Sequence, residues 1–464
     1  MIIPLSNNKH PIESCRLQEP RMTRFLRCRS TAPMLAALPL ALAAALAGQN
    51  AHASAFQLKE NSAEGLGRAF AGSAAAPGDC SVIVNNPAAM SEIKGGCFQA
   101  DVTAINFATK FHGGGEDFLG RPLTGGNGGD GGITQPVPAV YFMHSINEEF
   151  ALGAALTVPF GFETNYDDGW VGRYEALKSK LQSPALTFSG SWRVSDEVSL
   201  GASFIAQRTS ATLSQAIDFG TILAGPTNGA LLPQEADGFG QLKGDDWGYG
   251  FGLGLLWKAT PNDNFGINFH SQIDHTIEGD GTFKVPSNIV PLLAPAFTNS
   301  PGQADFDTPA FATLSWWHTL DERISFGADL GYTHWSSFDK LVVTYDNPAQ
   351  PNSTSIFDWK DSWSASFGGD YRLDPNWTLR AGIAYDETPT KDSTRTPRIP
   401  DGNRTWLSFG VGYTVSDTLK FEAGYVHLWV DDGDVDHTSA TFSTLTGHFE
   451  SSGNLLAVSA QYRF

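Results

Sequence analysis

The sequence predicts an all-β membrane protein, a 14-stranded antiparallel transmembrane β-barrel plugged by an N-terminal hatch. Three observations carry that expectation. Nothing beyond the first 53 residues approaches the ~20 consecutive apolar residues that a membrane helix needs. Segments of about ten residues alternate apolar and polar instead, as in a wall with lipid on one face. Long Gly/Pro/Asp-rich connections also alternate strictly with short polar ones, as extracellular loops alternate with periplasmic turns.

Six tight connections stand at 145–150, 193–199, 258–265, 318–324, 372–378 and 414–420, with Asn, Asp, Pro and Ser supplying turn chemistry. Seven long ones lie near 110–136, 159–182, 212–245, 278–308, 336–360, 387–403 and 431–452. Thirteen connections give fourteen strands, the even number that both termini in the periplasm require. Along the strands, Trp247, Tyr249, Phe251, Leu253, Leu255 and Trp257 share one face and Gly248, Gly250, Gly252 and Gly254 the other. Trp377, Leu379, Ala381, Ile383 and Tyr385 alternate with Thr378, Arg380, Gly382, Ala384 and Asp386 in the same way. The chain ends on "GNLLAVSAQYRF", an alternating stretch that closes on an aromatic residue with no polar tail. A soluble β-sandwich would have to hide these apolar rows beneath a second sheet.

Residues 1–53 read as a leader: Arg24, Arg27 and Arg29, an apolar run over 34–47 interrupted by Pro39, then "AHA" at 51–53. Cleavage is expected after Ala53, and Met22 would open a leader of ordinary length. Removing the leader's six Lys/Arg and two Asp/Glu from 30 and 49 leaves 24 basic against 47 acidic residues, a net charge of −23. That balance argues against nucleic-acid binding. Cys80 and Cys97 are the mature complement of cysteine, and an even pair in an exported chain reads as a disulfide. Closing a loop of that length stabilises by roughly 3 kcal/mol. Residues 54–97 do not alternate and are rich in small residues, so they are expected to form the hatch, with 98–464 as the barrel. A barrel of this size leaks unless its interior is filled.

Five stretches in order resemble the FadL family, the long-chain fatty acid transport proteins of bacterial outer membranes. They are "SAFQLKENSAEGLGRAFAG" with Asn86, Pro87 and Ala88, "VPFGFETNYDDGWVGRYEA" (158–176), "GDDWGYGFGLGLLW" (244–257), "YRLDPNWTLRAGIAYDETP" (371–389) and "RIPDGNRTWLSFGVGY" (398–413). The resemblance covers the whole mature chain. It implies passive, ligand-gated uptake in the outer membrane of a Gram-negative bacterium: loop capture, hatch movement, then lateral exit past a kinked strand beside residues 86–88. The family's N-terminal aromatic falls on Phe56. The cysteine pair is not part of the resemblance.

For capture, the loops over 217–234 and 285–301 are unusually apolar, through Ile222, Leu223, Leu231, Leu232, Val290, Leu292, Leu293 and Phe297. They either bury an acyl chain, at ~0.8 kcal/mol per methylene, or pack on each other over the barrel mouth. A carboxylate would want a cation. Arg380 and Arg463 face inward by alternation and Arg208 and Lys340 lie near strand ends, but Asp329, Asp386 and Glu422 are available as competing partners. The same family includes channels for monoaromatic hydrocarbons, which remain the alternative; an outer-membrane hydrolase is the competing class, with His112, His437 and His448 in or beside loops. "GGNGGDGGI" and "WVDDGDVDH" depart from calcium-site spacing and read as loops. The expectation is therefore no enzyme, cofactor or metal, and a monomer whose partners are a hydrophobic small molecule, outer-membrane lipid and lipopolysaccharide.

Overall fold

A computed structural model describes residues 55–293, 295–439 and 442–464; the expected leader and Ser54 lie outside them. The described chain opens with α1 (Ala63–Gly67), α2 (Val82–Asn85) and a 3-10 helix, Pro87–Glu92. Six unbroken strands follow: β1 (Gly96–Glu116), β2 (Thr134–Ser145), β3 (Phe150–Asn165), β4 (Lys178–Arg193), β5 (Val198–Asp218) and β6 (Asp237–Lys258). A short α3 (Phe219–Ala224) sits between the last two. Four interrupted passages come next. They are β7 (Asp263–His270) with β8 (Ile273–Lys284), then, after α4 (Val290–Leu293), β9 (Ser300–Thr308) with β10 (Phe311–Thr319). The other two are β11 (Ile324–Thr333) with β12 (Lys340–Tyr345), and β13 (Ser353–Ile356) with β14 (Ser362–Arg372). β15 (Trp377–Asp386), β16 (Arg404–Ser416), the interrupted β17 (Leu419–Val430) and β18 (Gly433–Thr438), and β19 (Thr444–Arg463) complete the wall. Each interrupted pair shares neighbours, as when β6 pairs with both β7 and β8, so the segments make fourteen passages in one antiparallel sheet.

The sheet closes on itself. β1 and β19 pair from Cys97 opposite Arg463 to Glu116 opposite Thr444. The terminal Phe464 bonds back to the first wall residue, its N–H to the Gly96 carbonyl at 3.0 Å and its carbonyl to the Gly96 N–H at 2.7 Å. Pairing of the first strand with the last therefore removes the edge that an open sheet would expose. The long connections are shorter than expected: 212–245, 278–308 and 431–452 all continue as paired strand at their ends. Residues such as Asp245 opposite Glu278 extend the ladder without an apolar row. Strand that leaves lipid needs no apolar face, so hydropathy cannot mark it.

Trp247, Tyr249, Phe251 and Leu253 lie exposed on the outer face, while inward glycines such as Gly201, Gly254 and Gly382 meet the N-terminal segment. A Cβ on Gly410 would come within 2.7 Å of Gly67 Cα, so any side chain there would push α1 off the wall. Cys97 belongs to β1, so the disulfide from Cys80 ties the segment to the wall itself. Asn86 adds a second anchor, donating to the carbonyls of Ala74 (2.6 Å) and Leu255 (2.9 Å).

Replacing both cysteines by serine is expected to weaken the seating of residues 55–95 by about 3 kcal/mol and to leave the closing ladder intact. Limited proteolysis should then cut that segment first, while the barrel keeps its heat-modifiable migration on gels. Unchanged resistance of the segment would count against a tether.

Candidate functional site

The wall has a weak seam between β2 and β3. β2 pairs with β1 along its whole face but meets β3 only from Val140 opposite Leu156 to Ser145 opposite Ala151. Pro136 and Pro138, two apart and so on the same edge, cannot donate where the ladder to β3 would continue. β3 is irregular at the same height: its pairing with β4 jumps from Thr157 opposite Ala185 to Phe160 opposite Ser183. Val158 and Pro159 thus bulge against Pro184, another residue without a donor. The edge of β3 left free by β2 is taken by the N-terminal segment. Gly161 N–H donates to the Phe56 carbonyl and Leu58 N–H to the Pro159 carbonyl, each at 2.8 Å, around a bridge of Gln57 with Phe160.

Phe56 itself is 0 % exposed. Its ring lies 4.6 Å from Trp335, 5.4 Å from Phe306, 5.6 Å from Phe338 and Trp359, 6.0 Å from Phe160 and 6.1 Å from Phe162, centroid to centroid. The strand interruptions build this box. Trp335 and Phe338 come from the gap between β11 and β12, and Trp359 from the gap between β13 and β14. Phe160 and Phe162 follow the β3 bulge. Where the chain leaves the ladder it turns rings into the lumen. Truncating a Phe so enclosed costs about 3–5 kcal/mol. Just ahead of it, Ala55 N–H donates to Asp401 Oδ2 at 2.9 Å.

Beside the box lies a cavity of about 140 Å³. Leu58, Val84, Val158, Pro159, His270 and Phe311 give it apolar walls, and Lys59, Asp329 and Asp386 lie at its margin. It therefore touches the N-terminal segment and the seam together. Next to Lys59, Glu60 is 2 % exposed and neither carboxylate oxygen meets a donor from another residue. Burial pushes its carboxyl up to about 7, against the pull of Arg404 and Lys59.

The sequence-predicted residues divide. Phe56 is the centre of the box. Ile222, Leu223, Leu231, Leu293 and Phe297 pack into one cluster with Phe219, Phe283 and Ile289, joining α3 and α4. Leu232 is half-buried, while Val290 (45 %) and Leu292 (58 %) face outward. Arg380 is enclosed by Glu422, Asp370 (3.3 Å) and Glu64 (3.6 Å), so its charge is already met. Arg208 faces outward and pairs with Asp245 at 2.9 Å; Lys340 is exposed; and Arg463 reaches the Gly78 carbonyl at 3.4 Å. Asn86, Pro87 and Ala88 press on Gly254 and Gly201, whereas the kinked strand touches Leu58 directly; Val84 and Asn85, in the cavity wall, connect the two. His437 pairs with Glu175 at 3.0 Å and His112 stacks on His448. Sequence reasoning missed Trp335, Phe338, Phe357, Trp359 and Arg398; the aromatic pairs in "HWSSFDK" and "IFDWK", too many rings for a solvated loop, were the available signal.

A closed barrel with an occupied lumen, an aromatic pocket and a seam beside it defines a transport barrel of the outer membrane. The family described as "Outer membrane protein transport protein (OMPP1/FadL/TodX)" matches residues 44–464, and the chain belongs to it. It is 31 % identical to a 47 kDa outer membrane protein of Pasteurella multocida, over 92 % of this chain and 97 % of the relative. It is 28 % identical to the long-chain fatty acid transport protein of Escherichia coli K12, over 84 % and 91 %. Among solved structures, a Pseudomonas aeruginosa FadL homologue superimposes with a TM-score of 0.83 at 31 % identity, covering 88 % of this chain and 99 % of that one. The Ralstonia pickettii toluene transporter TbuX, at 20 % identity and a TM-score of 0.64 over 87 % and 98 %, shares the fold.

Because Glu60 holds its proton more tightly when seated, seating is strongest below pH 4.5 and weakens as pH rises through about 7. Hydrogen exchange of residues 55–62 is therefore expected to quicken from pH 5 to pH 8 beyond the intrinsic rate. Glu60→Gln should abolish that excess and stabilise the seat at pH 8 by at most about 3 kcal/mol. The same excess in Glu60→Gln would assign the effect elsewhere.

Proposed function

We propose that the protein takes up long-chain fatty acids passively across the outer membrane, with residues 55–95 as a movable hatch. One observation carries the reading: the residues that fill the aromatic pocket also cover the open edge of β3. A ligand that replaces Phe56 in its box must draw residues 56–58 away from β3 and so uncover the seam toward β2. The cluster between α3 and α4 supplies apolar capture, with Val290 and Leu292 offered at the surface. The ligand then passes the cavity and leaves sideways into lipid. An acyl chain keeps its burial on that route, at ~0.8 kcal/mol per methylene, and would lose it in a water-filled pore. The mechanism asks for no covalent step and no second subunit, since one chain closes its own sheet. Uptake of monoaromatic hydrocarbons is the second reading, since the ring lining of the pocket, with its edge-to-face contacts around Phe56, accepts a small arene as well as an acyl chain.

Labelled oleate, with toluene as competitor, is expected to enter cells of an uptake-deficient host that express the protein. Phe56→Ala should alter both binding and entry. Pro136→Val with Pro138→Val, which restores donors on the β2 edge, should slow entry while oleate binding persists. Entry of toluene without oleate would favour the second reading, and entry of neither would refute both.

A further inference from the structure

Six arginines are buried among the described residues, and five have a carboxylate within reach. Arg68 meets Glu64 at 3.2 Å, Arg173 meets Asp237 at 2.8 Å and Arg395 meets Asp392 at 2.6 Å; Arg380 and Arg404 hold Glu422 and Asp401. Arg398 is the sixth. It is 8 % exposed, and its guanidinium donates only to neutral oxygens: Ser179 Oγ at 3.2 Å, the Ser214 carbonyl at 3.4 Å and Gln215 Oε1. Glu175 is the acidic group nearest in effect, and it is engaged by His437 at 3.0 Å. Burial pulls the Arg398 guanidinium down to about 10, against a weaker opposing pull from Glu175. A buried cation so placed is costly unless an anion arrives.

Arg398 lines a second, smaller cavity of about 40 Å³ whose other walls include Leu181, Leu213, Ile277, Phe162, Phe306 and Phe338. Lys180 is also at its margin, but it is paired with Glu163 at 3.6 Å. The last three of those walls are also walls of the Phe56 box. With room for only about three waters, the space admits an acyl chain only if Phe56 gives way.

We propose, resting on the uptake reading above, that Arg398 receives the carboxylate of the incoming ligand and makes the protein selective for acids over hydrocarbons. The head group sits at Arg398 as the anion, in a charge-assisted pair that the planar guanidinium can make with both oxygens. The tail runs past Phe162, Phe306 and Phe338 into the place of Phe56. Head-group recognition and hatch displacement are thereby two ends of one binding event. Arg398 is a specificity-determining residue and not part of the gate.

The test compares oleate with oleyl alcohol, which shares the chain and lacks the charge, as ligands of the purified, full-length protein. Wild type is expected to bind oleate the more tightly. Arg398→Gln should lose about 10- to 100-fold in oleate affinity and keep its affinity for oleyl alcohol, which also reports that the pocket is folded. Arg398→Lys should recover most of the loss. Undiminished oleate binding by Arg398→Gln overturns the proposal alone. Equal binding of acid and alcohol by wild type overturns the selectivity. Wild type that binds neither overturns the uptake reading and this proposal with it.

Discussion

The open edge of β3 is the constraint from which the rest of the site follows. A strand edge inside a membrane cannot be left unpaired, because lipid offers no hydrogen bonds. β2 cannot satisfy it past Leu156, since Pro136 and Pro138 face that edge without donors. The chain covers it with its own beginning, through the bonds of residues 56–58 to Pro159 and Gly161. A cover that lies in the lumen is removable, while a neighbouring strand is not. The disulfide then divides the segment by mobility. Residues beyond Cys80 are fixed covalently and by Asn86; those before it rest on ring packing, a few hydrogen bonds and ion pairs.

The kind of glue between α1 and the wall fits such a cover. Glu64 and Arg68 join Asp370, Arg380, Lys420 and Glu422 in one network across β14 to β17. Buried ion pairs add little net stability over well-packed apolar groups, because each charge regains much of its solvation when water enters. They do fix register, since a misplaced α1 would leave several charges buried and unmatched. An apolar contact of the same extent would hold the segment equally well and resist rehydration. Specific seating with modest adhesion is what a displaceable plug requires.

Much of the barrel was legible in the sequence, and for a definite reason. Lipid on one side imposes a two-residue alternation that needs no knowledge of neighbours, as in the Trp247 to Trp257 row, and polar turns punctuate it. Seven connections and six turns counted off fourteen passages before any pairing was known. The site was less legible because it is made where alternation fails. Trp335, Phe338 and Trp359 sit in breaks between paired segments, and their inward direction depends on which neighbour releases the strand. Arg380 shows the same limit from the other side. Alternation gave its direction correctly, but its partner Glu64 comes from a segment more than three hundred positions away, and no local pattern reveals that its charge is spent.

Ligand choice in such a pocket cannot come from its walls. Aromatic rings accept an acyl chain or an arene on similar terms, and one methylene more or less changes binding by only about 1–3 kcal/mol. A polar group left unmatched discriminates more sharply, because the wrong ligand must bury it without compensation. Toluene beside Phe162 and Phe338 would leave the Arg398 guanidinium as it stands, held only by neutral oxygens. A carboxylate would supply the counter-ion that the other five buried arginines already have. The preference for an acid would then rest on one deficit of charge in an otherwise indifferent pocket.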